Sequence, residues 1–514
     1  MSDNPNIAAR LAERAWLHPE RLALLDGRSK VGFSQLAEEV DAIGGALERG
    51  GVRAGDNVLV FVPMSVHLYT TLLGCLHAGA VAVFVDAWSD RRRLDAAVHA
   101  ARPRAFVGSA RAQLLRLASG PIRRIPRHFI AGTRALKGGP SSAAIVDGDS
   151  AALVTFTTGS TGTPKAAVRS HAFLWAQHEV LAAHLGLQES DVDMPTLPIF
   201  VLNNLALGVP SILPAFDPRR PGDINPRRIY AQIVREGVTT SSGSPAFYER
   251  LADWCLHRRL TLPLRSIFTG GAPVLPPLAR RLRDAVQGTV HVLYGSTEAE
   301  PISGITADEM VALSEIPGSE GVCAGFPVPE IELRLVRPHD ELMEIGPAGW
   351  SEWDVAAGET GEVVVTGRHV LRGYLGDPGA ERRNKIADGA RVWHRTGDAA
   401  RFDAEGRLWL MGRVRERVRR DGKVWWPLPA EVRARSIAGI SHAAYLGLPD
   451  QLLEQRAVLC VEADPCEIPR LRTALQRALD GWPLDELRVL RRIPRDPRHA
   501  SKTNADALRA LLAG

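Results

Sequence analysis

Short, uniformly apolar runs alternate with helical periodicity through the first third of the chain. Residues 7–16 and 33–47 carry apolar positions at helical spacing, the second with Leu36, Val40, Ile43 and Leu47 along one side. Between them, residues 22–26 read as a short strand. A turn at Gly55 and Asp56 leads into the buried run 57–62, then a helix over 65–78 and a second apolar run over 80–85. A helix over 90–101 and a strand over 105–108 follow. Strands that are apolar on both faces and separated by helices predict parallel sheets covered on both sides. Signals weaken over 110–150, where residues 137–142 read as an exposed connection. The alternation resumes with helices over 172–185 and 225–236 and a strand over 264–269.

The pattern changes in the last third. Residues 358–366 and 367–374 read as strands of a smaller β-rich subdomain, followed by a hairpin turning at 403–406. Beyond Gly412 come a charged hairpin over 414–424 and an α+β series: helix 431–436, strands 443–448 and 457–462, helix 469–479. The boundary is placed there, giving units 1–412 and 413–514.

At ~150 residues per domain, a chain of 514 residues needs more than one core. Hydrophobic content of 45% and charged content of 24% exclude a disordered or fibrous chain. A net charge of +5 is small for this length, and of its arginine clusters at 91–93 and 413–420 only the second is a candidate basic face, which reads better as hairpin charge, so no nucleic-acid partner is expected. Cys75, Cys255, Cys323, Cys460 and Cys466 are scattered without a C-x-x-C pair, as expected for free thiols in a reducing cytoplasm. The polar N-terminus lacks a signal pattern, and the most apolar window, 72–88, is broken by His77 and Asp86; neither a leader nor a transmembrane segment is expected.

The chemistry concentrates in three stretches. The first runs Thr157, Thr158, Gly159, Ser160, Thr161, Gly162, Thr163, Pro164, Lys165 after a β-prone lead-in. Flexible backbone N–H groups, several hydroxyls and one cation are the parts needed to hold a triphosphate. It is not the common P-loop, because Pro164 stands where that motif's helix begins. In isolation such a run is also a surface loop. The second is Tyr294-Gly-Ser-Thr-Glu298, in which Tyr294 can stack on a base, Thr297 can donate to an α-phosphate and Glu298 can hold Mg²⁺. The third is Thr396-Gly-Asp398 with Arg413: an acceptor-only carboxylate suits two ribose hydroxyls. Gly270, Gly271 and Ala272 end a strand, as either a tight turn or a close approach for a flat ligand.

These stretches, in this order, resemble the adenylate-forming superfamily of acyl-CoA synthetases, adenylation domains and luciferases. Its phosphate loop is close to T-S-G-T-T-G-x-P-K-G, with Ala166 in place of the last glycine; G-G-x-P, Y-G-x-T-E, T-G-D and G-R follow at the family spacing. The resemblance implies an α/β fold: a large N-terminal domain of two parallel or mixed sheets plus the β-rich subdomain, then a small mobile α+β domain. It implies ATP on residues 157–165, with the base and ribose near Gly270 to Ala272, Tyr294, Gly295, Asp398 and Arg413. Mg²⁺ would lie on the side of Thr158 and Glu298, and Lys502, Thr297 and Glu298 would be catalytic. The hinge would fall at Arg415, where the family usually has Asp or Lys. Lys502 would bridge the carboxylate and α-phosphate, although the usual P-K-[TS]-x-S-G-K reads P-R-D-P-R-H-A-S-K here.

The expected reaction is activation of a carboxylic acid to an acyl-adenylate with release of pyrophosphate. Phe200, Phe247, Tyr248, Ser296 and Ala299 are candidates for the acid pocket, favouring an aliphatic or aromatic acid. For the second step the chain looks more like the β-lactone synthetases of bacterial long-chain olefin biosynthesis. That resemblance rests on residues 197–200 with 217–221, 294–303, Lys385-Ile-Ala-Asp-Gly389 with Trp393-His394, and 496–499 before the lysine. A plain ligase using coenzyme A or a carrier protein, a partnership with other pathway enzymes, and a non-catalytic ligand-binding homologue stay open as alternatives.

Overall fold

The apolar runs of the first third form the middle of a six-stranded sheet. Its order is Arg127–Ile130, Ala105–Gly108, Asn57–Phe61, Val81–Phe84, Ala151–Thr158 and Pro164–Ser170. The first five are parallel and the last pair is an antiparallel hairpin. Helices begin where the polar residues say they should: Ser65 caps Val66–His77, Asp90 caps Arg91–Ala101 and Ser170 caps His171–Leu185, each side chain accepting a first-turn N–H. The computed structural model describes residues 4–86, 89–133, 136, 138–139, 141–158, 164–217, 220–495 and 502–513, with only the backbone at 157, 158, 164, 465 and 513.

The second sheet has 14 strands. Its parallel half contains Asp193–Pro195, Thr240–Gly243, Ser266–Gly270 and Thr289–Ser296. From there Ala299–Thr306, Val322–Pro327, Leu408–Arg413, Arg391–Phe402, Gly361–Gly367 and Ile331–Val336 continue it with antiparallel pairing. The β-rich part is therefore continuous with the parallel part rather than a separate sheet. The join is the pairing of Ser303 and Gly304 with Pro327 and Phe326. Gly325 is needed beside it: φ is +76°, and a Cβ would lie 1.9 Å from the carbonyl oxygen of Gly304.

One expected strand does not form. After Gly361–Gly367 ends, residues 368–375 make only isolated pairings, Val370 with Ala299 and Tyr374 with Ala167. The backbone there is drawn toward several partners at once. Leu371 N–H donates to Glu298 O, Tyr374 N–H to Glu381 Oε1 and Leu375 N–H to Ala166 O.

Beyond Gly412 a three-stranded sheet of His442–Asp450, Glu454–Glu462 and Glu486–Leu490 carries apolar clusters on both faces. One holds Tyr445, Leu459, Leu471 and Leu475; the other holds Leu446, Val458, Ile493 and Leu508. This small α+β domain meets the rest through Arg433–Glu320 and Arg417–Asp340, both at 2.7 Å. Cys75, Cys255, Cys323 and Cys460 are buried and Cys466 is exposed. Among the described residues no helix is long and apolar enough to cross a membrane.

Candidate active site

Two β-hairpins bring the motifs together. The first is Ala151–Thr158 with Pro164–Ser170, which presents Lys165; Gly159, Ser160, Thr161, Gly162 and Thr163 lie outside the described residues, as do the side chains of Thr157 and Thr158. The second is Thr289–Ser296 with Ala299–Thr306. Ser296 pairs with Ala299, so Thr297 and Glu298 form the two-residue turn, and Ser296 Oγ accepts from Glu298 N–H at 3.2 Å. Buried Arg169 ties the hairpins together, donating to Thr155 Oγ1 at 2.6 Å and to Thr297 O at 2.9 Å. Residues 370–375 form a second tie, touching Ala299 and Glu298 on one hairpin and Ala166 and Ala167 on the other.

Tyr374 sits at the middle of this tie. Its hydroxyl donates to Glu298 Oε1 at 3.0 Å, and the amines of Lys165 and Lys385 lie 5.4 and 5.3 Å from its ring centroid. Burial alone would raise the Glu298 pKa, but nearby cations and the tyrosine hydrogen bond outweigh it and hold the carboxyl below its ordinary range. His394, pushed down to about 3 by burial and the neighbouring lysines, is neutral near pH 7. His394 is the first of the groups set against burial at Glu298, followed by Lys385, the Tyr374 hydroxyl and Lys165; with the His394 ring neutral, the lysines and the tyrosine are what hold the carboxylate. Burial lowers both amines, Lys385 to about 7, against the opposing pull of Glu298. Glu300 is pushed up to about 7 by burial, with Arg169 opposing.

Among the described residues no group of three or more His, Cys, Asp or Glu converges. A single ionised carboxylate is nonetheless a fit for Mg²⁺, which keeps several waters and substrate phosphate oxygens and needs few protein ligands. Glu298 supplies that one carboxylate: Oε1 takes the tyrosine hydroxyl, and no hydrogen bond reaches Oε2 among the described residues.

The third motif lies beside it. Tyr294 OH donates to Asp398 Oδ2 at 2.9 Å, and Arg413 Nε lies 3.1 Å from Oδ1. Tyr294 stays protonated, its pKa raised well above the ordinary value by burial and by Asp398. Arg413, strengthened as a cation chiefly by Asp398, also acts on Lys165 and Glu298. Asp398→Asn keeps the shape but puts an amide against Arg413. A hydrogen bond to a charged group contributes about 1.5–3 kcal/mol, so the expected result is a rise of at least about tenfold in the KM for ATP with the acid KM unchanged. ATP saturation of pyrophosphate release measures it; an unchanged ATP KM would remove Asp398 from the nucleotide site.

The other expected residues are dispersed. A Cβ at Gly270 would lie 2.5 Å from Leu293 O, so the neighbouring strand requires that glycine, and Gly271 has φ +78°. Ala272 follows in the bend after that strand. Gly295 lies against Ala299 O, where a Cβ would come within 2.9 Å. Phe200 packs with Leu181, Phe268 and Leu293, whereas Phe247 and Tyr248 fill a different core; Tyr248 OH meets Ser241 Oγ at 2.7 Å. Ala299 faces Val180 and Ile302. Phe200, the pair Phe247 and Tyr248, and Ala299 thus belong to three apolar clusters. Lys502 precedes Thr503, whose hydroxyl lies 3.0 Å from His442 Nε2, and Arg415 meets Asp506 of the last helix at 3.4 Å. Arg169, Tyr374, Lys385 and Glu300 were absent from the expected site. Their contacts join positions apart in sequence, and Lys385 and Glu300 fell in stretches that already stood out.

Residues 11–375 match the family described as "AMP-binding enzyme". The chain is 32% identical to the olefin beta-lactone synthetase of Stenotrophomonas maltophilia, covering 98% of this chain and 97% of that one. It is 28% identical to the feruloyl-CoA synthase of an Amycolatopsis species over 87% of this chain and 86% of that one. Among solved structures, ATP-bound MatB from Rhodopseudomonas palustris superposes with a TM-score of 0.84 at 21% identity, covering 99% of both chains.

Proposed function

Since the chain belongs to the AMP-binding enzyme family, we infer that it activates a fatty, β-hydroxy acid with ATP and closes the acyl-adenylate to a β-lactone. The observation that carries the adenylation step is the bracing of the two hairpins, which sets Lys165 and Glu298 about one tyrosine ring beside Asp398 and Arg413. The substrate carboxylate attacks the α-phosphorus, the bond to the bridging oxygen breaks, and pyrophosphate leaves. The nucleophile is already ionised at neutral pH, so positioning and charge stabilisation dominate. Lys165 faces the phosphates, Thr297 the α-phosphate, and Asp398 with Arg413 the ribose. Mg²⁺, when bound at Glu298, supplies neutralising charge. In the second step the substrate's own hydroxyl oxygen attacks the acyl carbon, the acyl–phosphate bond breaks, AMP leaves and the hydroxyl proton passes to solvent.

Residues 413–514 act as a mobile unit that carries Lys502 into the cleft and turns about Arg415. The pairs Arg433–Glu320 and Arg417–Asp340 would have to open; the half-exposed first costs about 1 kcal/mol or less, whereas Arg417 is buried and its pair costs more to break. The lactone step is favoured by the near full-length relatives at 32% identity. Transfer to coenzyme A or a carrier thiol is the second reading, favoured by relatives such as the feruloyl-CoA synthases. Mass spectrometry of products from ATP, Mg²⁺ and matched fatty and 2-alkyl-3-hydroxy acids separates them. The expected result is AMP plus a product one water lighter than the hydroxy acid, unaffected by coenzyme A. A thioester formed only with coenzyme A would overturn the lactone step.

A further inference from the structure

The stretch 385–394 stood out in the sequence, and the reaction as described leaves its lysine without a task. Lys385 opens the strand Lys385–Asp388, directly after the helix Pro378–Asn384. It is held on the tie between the hairpins at two points. Its amine donates to Leu371 O and sits over the ring of Tyr374 at 5.3 Å. Those two residues are the ones that grip Glu298: Leu371 N–H donates to the Glu298 main-chain oxygen at 2.7 Å, and Tyr374 OH to its Oε1 at 3.0 Å. Glu381 fixes the tie from the helix side, accepting Tyr374 N–H at 2.8 Å, and Gly373 leaves room for it, because a Cβ there would lie 2.6 Å from Glu381 Oε1. The backbone and the side chain of the turn carboxylate thus both trace back to one half-buried lysine.

We propose that Lys385 is a positioning residue that, through Leu371 and Tyr374, commits Glu298 Oε1 to the tyrosine and leaves Oε2 aimed for a nucleotide-bound divalent cation. The proposal rests on the reading of Glu298 as the metal-side carboxylate. The arrangement has a physical reason. An unanchored carboxylate on a two-residue turn can rotate and bind a cation through either oxygen, whereas outer partners that fix its orientation strengthen the cation site. Lys385 does not touch the cation's oxygen itself; its grip on the tie sets where that oxygen points.

The test compares the affinity of the enzyme for the Mn²⁺ complex of a non-hydrolysable ATP analogue with its affinity for the metal-free analogue, by titration calorimetry without acid. Taking the ratio separates the cation site from general loss of nucleotide binding. Lys385→Met and Tyr374→Phe should each lower the ratio by about tenfold, in line with losing an outer partner of a metal ligand. The double variant should fall within about twofold of the lower single, because both act on one carboxylate. A ratio unchanged in Lys385→Met overturns the proposal. If that variant fails to fold, Tyr374→Phe decides, and a parental ratio there overturns it equally. Glu298→Gln separates the two layers: a parental ratio in that variant sinks the metal reading of Glu298, whereas a lowered ratio beside an unaffected Lys385→Met sinks only the role of Lys385.

Discussion

Lys502→Ala should slow acid-dependent pyrophosphate release by about 10²–10³-fold, the cost of losing one preorganised stabiliser of developing charge. At the α-phosphorus a carboxylate meets an already anionic group, and the pentavalent arrangement concentrates negative charge that only cations and hydrogen-bond donors can offset. On the proposed reading Lys165 supplies charge from the first hairpin and Arg413 from the end of the strand Leu408–Arg413, ahead of the hinge. Lys502 belongs to a segment pinned to the small one: Arg495 pairs with Thr503, Asn504 N–H donates to Pro494 O at 2.9 Å, and the Thr503 hydroxyl meets His442. His442 is pushed down to about 3, first by burial and then by Arg435 and Arg495, so its ring is a neutral anchor at working pH. The lysine therefore goes where the small domain goes. A preformed acyl-adenylate bypasses the first step, so the variant should convert it at nearly the parental rate. Parental pyrophosphate release in Lys502→Ala would remove the lysine from the site.

The parts of this fold that could be read from sequence are those whose signal is local. The runs 57–62 and 80–85 are apolar on both faces, and a single strand with that pattern has few places to go but the centre of a covered sheet. Ser65 and Asp90 announce their helices because a cap is decided within three residues. The motifs are local too, so Lys165, Tyr294, Glu298, Asp398 and Arg413 could be named. The hairpin turn at Thr297 and Glu298 could not, since it lacks the Asn or Gly that usually marks a two-residue turn and Pro301 argues against a strand. Residues 367–374 read as a strand because their apolar positions suit one, yet their hydrogen bonds go to several elements. Arg169 reaches Thr297 across 128 positions and Tyr374 reaches Glu298 across 76, and no periodicity encodes such contacts. The cross-bracing is a property of the packed sheets.

Glu362→Ala should destabilise the protein by about 3–5 kcal/mol, the usual cost of stripping one partner from a buried ion pair. Arg395 donates to Glu362 through Nε at 3.1 Å and Nη2 at 2.6 Å, and its remaining donors reach Glu341 O at 2.8 Å and His339 O at 2.6 Å. The side chains are 9% and 3% exposed, so the stranded guanidinium could recover little hydration. The double change Glu362→Leu with Arg395→Met should lie much closer to the parent, because apolar groups of similar volume need no counter-charge. The same strand contains its own control: Arg391 meets Glu332 at 2.8 Å with both side chains 58% exposed, and removing that pair should cost under about 1 kcal/mol. Denaturant midpoints of the three variants give the comparison, and equal losses at the buried and exposed pairs would refute it. The consequence reaches the proposed ribose side of the site. Arg395 stands three residues before Asp398, with Thr396 bonded to Val363 O and receiving the Asp398 N–H. A loosened Arg395 frees that segment, so Glu362→Ala should also raise the KM for ATP, and the packed double variant should return it toward the parental value. If the double variant recovers stability but not the ATP KM, then the charge of Arg395, and not only its packing, is what holds Asp398 in place.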